Sequence, residues 1–113
     1  IGQPNWEGNG QNQFGLFPQA NTLNWCYDSC FDEGGLWAAD TGNSRLIRVS
    51  QLPQQHNQPA DSLIGPKDFT TGSENAETIS GTDGALYWPF SIAICQQTMA
   101  IADTGNHRVV LIN

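Results

Sequence analysis

Two Asp-Thr-Gly triplets, which begin at Asp40 and Asp103, are the most evident candidates for chemistry in this sequence. Two aspartates that share one proton form the catalytic pair of aspartic proteases. The triplets begin only 63 positions apart, which is short for the two separate lobes of such an enzyme. Each triplet also continues as Asn-x-Arg, where those proteases place a small hydroxyl residue or alanine. We therefore favour a structural role for both triplets.

Residue types that bind metals are sparse in the chain. The two histidines, His56 and His107, are isolated and lack the H-x-x-H or H-E-x-x-H spacing of a zinc site. Oxygen atoms of the two Asp-Thr-Gly-Asn segments could bind Ca²⁺, but no loop has the dense acidic spacing of a calcium site. We expect no metal, no cofactor and no catalytic residue in this chain.

Three cysteines, Cys26, Cys30 and Cys95, leave at least one thiol unpaired within the chain. On a straight strand Cys26 and Cys30 would lie about 13 Å apart, which is too far for a disulfide. A bend at residues 27–29 could bring the two sulfurs together. A Cys26–Cys30 disulfide and buried free thiols are therefore both open alternatives.

The composition excludes several classes of function. The net charge is −7 with only four Lys and Arg, so we expect no nucleic-acid partner, because phosphate binding requires basic side chains. No apolar run approaches the roughly 18 residues of a membrane-spanning helix, so we expect no direct membrane insertion. The low content of charged residues, with many Asn, Gln, Gly and Thr, is typical of secreted or periplasmic β proteins, and we expect that location.

A repeat organises the chain. Residues 39–45, Ala-Asp-Thr-Gly-Asn-Ser-Arg, recur at 102–108 as Ala-Asp-Thr-Gly-Asn-His-Arg. The same offset of 63 aligns residues 1–50 with residues 64–113 without a gap and gives 11 identical pairs. The sequence therefore predicts two blade-like units, 1–63 and an incomplete unit 64–113.

Each unit consists of short apolar runs separated by turns. The runs predict strands at 28–31, 36–39, 45–49 and 62–64, and again at 91–95, 99–102 and 108–112. Strands of this length, joined by tight turns, form antiparallel meanders, and four strands per repeat are typical of a β-propeller blade. The predicted fold class is all-β.

The repeated turn has a chemical logic. The aspartate can close an Asx turn, the glycine can adopt a positive φ, and the arginine that follows could reach back to the carboxylate. The predicted structural turns comprise Asp40, Thr41, Gly42, Asn43 and Arg45 in the first unit and Asp103, Thr104, Gly105, Asn106 and Arg108 in the second.

With these Ala-Asp-Thr-Gly-Asn-(Ser/His)-Arg segments, each followed by two aliphatic residues, the chain resembles the NHL repeat, a family of β-propeller blades. Residues 1–6 and 64–69 are similar to the Gly-Gln-Pro-Asp-Phe stretch of bacterial members with long blades. Pro66-Lys67, where Gln-Pro would be expected, and Cys26, where the second unit has Pro89, depart from the pattern. The resemblance implies two incomplete blades of a propeller.

A propeller ring needs four to eight blades, and this chain supplies about two. We therefore expect a fragment of a longer protein, or several copies that close one ring, with the remaining blades in the same chain or in other copies. The residues beyond an ordinary blade length fall in the polar, glycine-rich segments 8–22 and 71–85, which predict long loops at one end of the blade.

Long loops on a rigid frame favour a function in binding or scaffolding, with a protein as the partner. Trp37, which has no aromatic counterpart in the other unit, is a candidate partner contact together with Phe14 and Phe17. One alternative is a propeller lyase or hydrolase whose metal and catalytic residues lie in other blades. A second alternative is an extracytoplasmic sensor domain tethered to a membrane protein.

Overall fold

The computed structural model describes residues 1–77 and 84–113 and contains two antiparallel sheets, of four and three strands. The all-β prediction is confirmed, and the described part of the chain contains no α-helix. No described helix is long and apolar enough to cross a lipid bilayer. The strands are β1 (Cys26–Phe31), β2 (Leu36–Asp40), β3 (Arg45–Val49), β4 (Ser62–Ile64), β5 (Pro89–Cys95), β6 (Thr98–Asp103) and β7 (Arg108–Ile112).

Both sheets are meanders, because each strand pairs with the next strand along the chain. The predicted Asp-Thr-Gly-Asn turns connect β2 to β3 and β6 to β7 as single 3₁₀ turns. Their register pairs Asp40 with Arg45 and Asp103 with Arg108. A bulge near the start of β1 is repeated near the start of β5. The two units thus share their connections as well as their strands.

The glycine of the repeated turn is required for space and not, as expected from the sequence, for a positive φ. A Cβ at Gly42 would lie 2.7 Å from the carbonyl oxygen of Asn24. The left-handed residue of the turn is instead Ser44, at φ 53°, and His107 has the same role in the second unit, at φ 54°. A glycine fits here because the N–H of Gly42 donates to that carbonyl at 2.8 Å, which brings the two backbones together.

The two sheets pack against each other through an apolar core. The first sheet contributes Ala39 and Leu46, and the second contributes Ile101 and its neighbours, all buried. Two polar contacts join the sheets: the Thr41 hydroxyl donates to the carbonyl of Pro89, and the N–H of Ile92 donates to the carboxylate of Asp28 at 2.8 Å. The first sheet is therefore covered on this face by the second sheet.

The opposite face of the first sheet is covered by loops. Ala38 and Ile47 are buried there. They pack against Leu23, Phe69 and other apolar residues of the segments that precede and follow the first sheet. The first sheet is thus the middle layer of the molecule, with the second sheet on one side and loops on the other.

Candidate protein-interaction surface

A buried ion pair closes the repeated turn of the first unit. Asp40 and Arg45 are fully buried, and Arg45 Nε lies 2.6 Å from Asp40 Oδ2. Asp40 Oδ1 accepts the N–H of Asn24 at 2.7 Å. Asp40 Oδ2 also accepts a hydrogen bond from the Asn43 side-chain amide, at 2.8 Å. Asp40 therefore bonds to the backbone that precedes β1 and does not form the expected Asx turn with the residue two positions later.

The protonation of Asp40 is set by opposing effects. Desolvation by burial raises the pKa of the Asp40 carboxyl above its ordinary value. Arg45, the Asn24 N–H and the Asn43 amide act in the opposite direction, because each donates to the charged form. The removal of any one donor would therefore raise this pKa further.

Asp103 has the same set of partners in the second unit. It accepts the Arg108 Nε at 2.7 Å, the Asn106 amide at 2.8 Å and the N–H of Tyr87 at 2.7 Å. Each aspartate is thus saturated by donors of its own unit, an arrangement that differs from a proton-sharing catalytic pair. The Asp103 side chain is fully buried, whereas 34% of the Arg108 side chain is exposed.

The guanidinium of Arg45 also attaches a long loop to the sheet. Arg45 Nη2 donates to the carbonyl oxygens of Gln19 at 2.9 Å and Thr22 at 3.1 Å. Arg45 Nη1 donates to the carbonyl oxygen of Phe69 at 2.6 Å. We call residues 10–22 the anchored loop, because this buried arginine fixes its C-terminal end.

Two amide side chains fix the N-terminal end of the anchored loop. Asn12 and Asn43 exchange two hydrogen bonds, of 3.0 and 2.8 Å. Gln13 Nε2 donates to the carbonyl of Asn21 at 2.8 Å and to Oδ1 of Asn57 at 2.6 Å. Asn12 and Gln13 both have positive φ, which turns the chain sharply at this point. The loop is therefore held by polar contacts at both ends.

Between these fixed ends, the anchored loop exposes three large apolar side chains. Phe14, Leu16 and Phe17 are 83%, 93% and 67% exposed. Clustered apolar side chains on a constrained loop are typical of a surface that contacts another protein. Sequence analysis predicted Phe14 and Phe17 as partner contacts and missed Leu16, for which the only signal was its position between them.

The structure does not place the third predicted contact, Trp37, on this loop. Trp37 is half-buried in a groove between the two sheets. Its indole N–H donates to Asp32 at 3.0 Å, and Asp32 also pairs with Arg48 at 2.7 Å. The Arg48 guanidinium lies 5.9 Å from the centre of the Trp37 ring. The single hydrogen-bond donor of the Trp37 side chain is thus used within the molecule.

The cysteines are free thiols. Cys26 and Cys30 lie on the single strand β1, and the sulfur of Cys26 contacts the carbonyl of Asp28 at 3.5 Å. Desolvation of this sulfur and the nearby Asp40 carboxylate raise the pKa of the Cys26 thiol. No group of three His, Cys, Asp or Glu side chains that could hold a metal ion occurs among residues 1–77 and 84–113.

A second exposed apolar surface lies on β7. Val109 and Leu111 are each about two-thirds exposed. Residue 109 occupies the repeat position of Leu46, which is fully buried between the two sheets. We call Val109 and Leu111 the open face of the second sheet, because the equivalent face of the first sheet is covered.

On the outer face of the first sheet, which loops cover at Ala38 and Ile47, one apolar residue stays exposed at the edge. Phe31 at the end of β1 is exposed. Its repeat equivalent, Ile94, packs into the core between the two sheets. Val109 and Phe31 are therefore exposed, whereas their repeat equivalents Leu46 and Ile94 pack where the two sheets meet.

No model of a known protein family matches this chain, and no curated protein sequence matches it. The resemblance to NHL repeats therefore depends on the residues quoted above, and inferences about function depend on the geometry just described.

Proposed function

We propose that the two sheets are successive blades of an NHL-like β-propeller, and that the module serves protein–protein interaction or scaffolding rather than catalysis. The assembly that completes the propeller consists of further sheets of the same kind, in the same polypeptide or in other copies. The protein partner binds at the anchored loop.

The observation that carries this proposal is the open face of the second sheet, whose equivalent in the first sheet is buried. The interface between the two sheets joins the Leu46 face of the first sheet to the Ile94 face of the second. A further sheet could pack on the second sheet through the same kind of interface. The open face offers Val109 at the position of Leu46, and Phe31 lies at the position of Ile94. Full burial of a valine or leucine side chain stabilises by about 1.5–3 kcal/mol, so another sheet at this face would gain substantially.

The charge distribution supports a protein partner. The chain carries a net charge of −7, and the large apolar residues exposed on the anchored loop are Phe14, Leu16 and Phe17. A negatively charged surface repels nucleic-acid phosphates and suits a neutral or basic protein surface. The location that we propose for the module is secreted or periplasmic, in keeping with the composition.

The experiment measures the mass in solution and the binding of a hydrophobic dye for the wild type and two variants. We expect one of two results for the wild type. Either three copies associate into a closed ring of six blades, with a mass of three times 12.3 kDa, or the chain stays monomeric and binds the dye. Leu111→Asp, on the open face, should abolish the association or reduce the dye binding. Leu52→Asp replaces an exposed leucine of the 51–61 linker and should change neither property.

Two outcomes would contradict the proposal. The first is a wild-type monomer that binds no dye, because the open face would then have no affinity for an apolar surface. The second is an association that Leu111→Asp and Leu52→Asp weaken equally, because the contact would then not depend on the open face.

A further inference from the structure

A cavity of about 550 Å³ opens beside Trp6, between the N-terminal segment 1–8 and the linker 53–56. It involves neither the anchored loop nor the open face of the second sheet. None of the described residues that line it is a Lys, Arg, Asp or Glu. The polar and aromatic residues of its wall are Gln3, Asn5, Trp6, Gln54, Gln55 and His56.

Trp6 is the dominant apolar surface of this cavity. Its side chain is 89% exposed, and the imidazole of His56 meets the indole edge to face, with ring centres 5.2 Å apart. The repeat equivalent of Trp6 is Phe69, which packs against the buried cluster of the first sheet. Trp6 therefore contributes little to the core, and its ring lies at the cavity wall beside His56.

The amides of the wall retain both donors and acceptors. Gln3 Nε2 donates to the carbonyl of Gly10 at 2.9 Å, which leaves its oxygen available. Asn5 Oδ1 accepts two backbone N–H groups, which leaves its NH₂ available. Gln54 Nε2 donates to the carbonyl of Leu52, so its oxygen is also available. Gln55 makes no side-chain hydrogen bond with any residue that the structure describes.

We propose that this cavity binds a neutral carbohydrate, with one pyranose ring stacked on Trp6. The C–H groups on one face of a pyranose carry partial positive charge and pack against the electron-rich face of an aromatic ring. Sugar hydroxyls donate and accept, and the wall amides offer the same combination. The cavity volume lies within the range of small-molecule sites and accommodates a monosaccharide or disaccharide.

A proline-rich peptide is the main competing ligand, since such peptides also dock on exposed aromatic rings. Its backbone offers carbonyl acceptors and few N–H donors, so the free oxygens of Gln3 and Gln54 would be left without a partner. A charged sugar gains no ion pair with a Lys, Arg, Asp or Glu side chain either, because none occurs among the described residues of the wall. The geometry therefore favours a neutral sugar. This inference does not depend on the proposed propeller assembly.

The test is a titration of the ¹⁵N-labelled chain, followed by the NMR signals of the four tryptophan indole N–H groups. The probes are cellobiose, maltose, mannobiose and N,N′-diacetylchitobiose, with 3′-sialyllactose and a decaproline peptide as comparison ligands. We expect at least one neutral disaccharide to shift the Trp6 signal saturably, with a Kd of about 0.1–10 mM.

Variants separate the cavity from the rest of the molecule. Trp6→Ala should weaken sugar binding at least tenfold, measured from the backbone amide signals of the cavity wall because this variant lacks the Trp6 indole. Gln55→Ala, at an exposed position, should weaken it several-fold. Trp25→Ala removes another exposed tryptophan and should leave binding within twofold of the wild type. If Trp6→Ala does not fold, Gln55→Ala decides the test.

Three results would overturn the inference. In the first, none of the four neutral disaccharides reaches saturation below 10 mM. In the second, Trp6→Ala or Gln55→Ala binds as tightly as the wild type. In the third, decaproline shifts the Trp6 signal and the sugars do not, which would reassign the cavity to a peptide.

Discussion

Arg45 is the residue on which the arrangement of turn, sheet and anchored loop depends most, and its substitution tests that arrangement. Arg45→Met keeps an unbranched side chain of similar length and removes the guanidinium. The Asp40 carboxylate then loses its ion-pair partner at a fully buried position. The carbonyl oxygens of Gln19, Thr22 and Phe69 lose their donors at the same time.

The expected loss of stability follows from burial. Removal of one partner from a buried ion pair destabilises a protein by about 3–5 kcal/mol, because the remaining charge stays desolvated. Arg108→Met is the matched control, since Arg108 makes the equivalent bond to Asp103 but has an exposed fraction of 34%. Water can replace part of that guanidinium, so we expect a loss of about 1–2 kcal/mol for Arg108→Met.

The pH dependence provides a second criterion. Desolvation raises the pKa of Asp40, and loss of Arg45 raises it further. An unfolded aspartate titrates near pH 3.9, so above that pH the unfolded chain of Arg45→Met releases a proton that the folded chain retains. Relative to the wild type, whose Asp40 pKa is raised less, the penalty therefore grows by up to about 1.4 kcal/mol per pH unit between the folded-state pKa of the wild type and the higher one of Arg45→Met. Arg45→Met should be less destabilising at pH 4.5 than at pH 7.

The assay is urea unfolding followed by tryptophan fluorescence at both pH values, with free energies from linear extrapolation. A domain of this size has a total stability of about 5–15 kcal/mol, so Arg45→Met is measured at low temperature. Equal destabilisation of Arg45→Met and Arg108→Met at pH 7 would contradict the larger contribution of the buried Arg45. The expected pH dependence is refuted if the penalty of Arg45→Met does not fall on acidification.

Two further predictions concern the loop and the acid limb of stability. Asn12→Ala removes the two hydrogen bonds between the Asn12 and Asn43 amides, at a residue with a left-handed backbone. We therefore expect the free energy of unfolding to fall by about 2–3 kcal/mol and amide hydrogen exchange in the anchored loop to become faster. Unchanged exchange in the loop would contradict the anchoring role of Asn12. Hydrogen bonds from Arg48 and Trp37 lower the pKa of Asp32, so its stabilisation is present above the unfolded-state pKa and disappears as the pH falls through the folded-state pKa. Asp32→Asn should therefore flatten the fall in urea midpoint between pH 5 and pH 3, and an unchanged slope would show that Asp32 does not contribute to it.

Much of the fold could be predicted because the same pattern of strands and turns occurs twice in the sequence. All seven strands lie where the apolar runs indicated, and the arginine of each turn reaches back to the turn aspartate. The bonds of Arg45 to Gln19 and Thr22 could not be predicted, because they join backbone carbonyls whose positions depend on the whole loop. The left-handed backbone of Trp25 and Trp88 could not be predicted from the sequence either, because a bulky aromatic residue has no preference for a positive φ.

The sequence says less about the surroundings of the predicted contact residues than about the strands, for a related reason. Trp37 was selected because no aromatic residue matches it in the second unit, but its uniqueness reflects a local set of bonds with Asp32 and Arg48. Leu16 was missed because leucine in a polar loop carries no signal of its exposure. A comparison of two repeats identifies what differs between them, whereas the structure is needed to decide whether a difference faces solvent.

The anchored loop shows how this small domain can expose Phe14, Leu16 and Phe17 and keep them in place. A loop fixed by apolar packing would have to bury its large side chains to gain stability. Here the guanidinium of Arg45 and the amides of Asn12 and Gln13 hold the backbone instead. The apolar side chains are then free to face a partner, and little conformational entropy is lost when the partner binds. On this argument, Asn12→Ala should weaken partner binding even though Asn12 itself touches no partner.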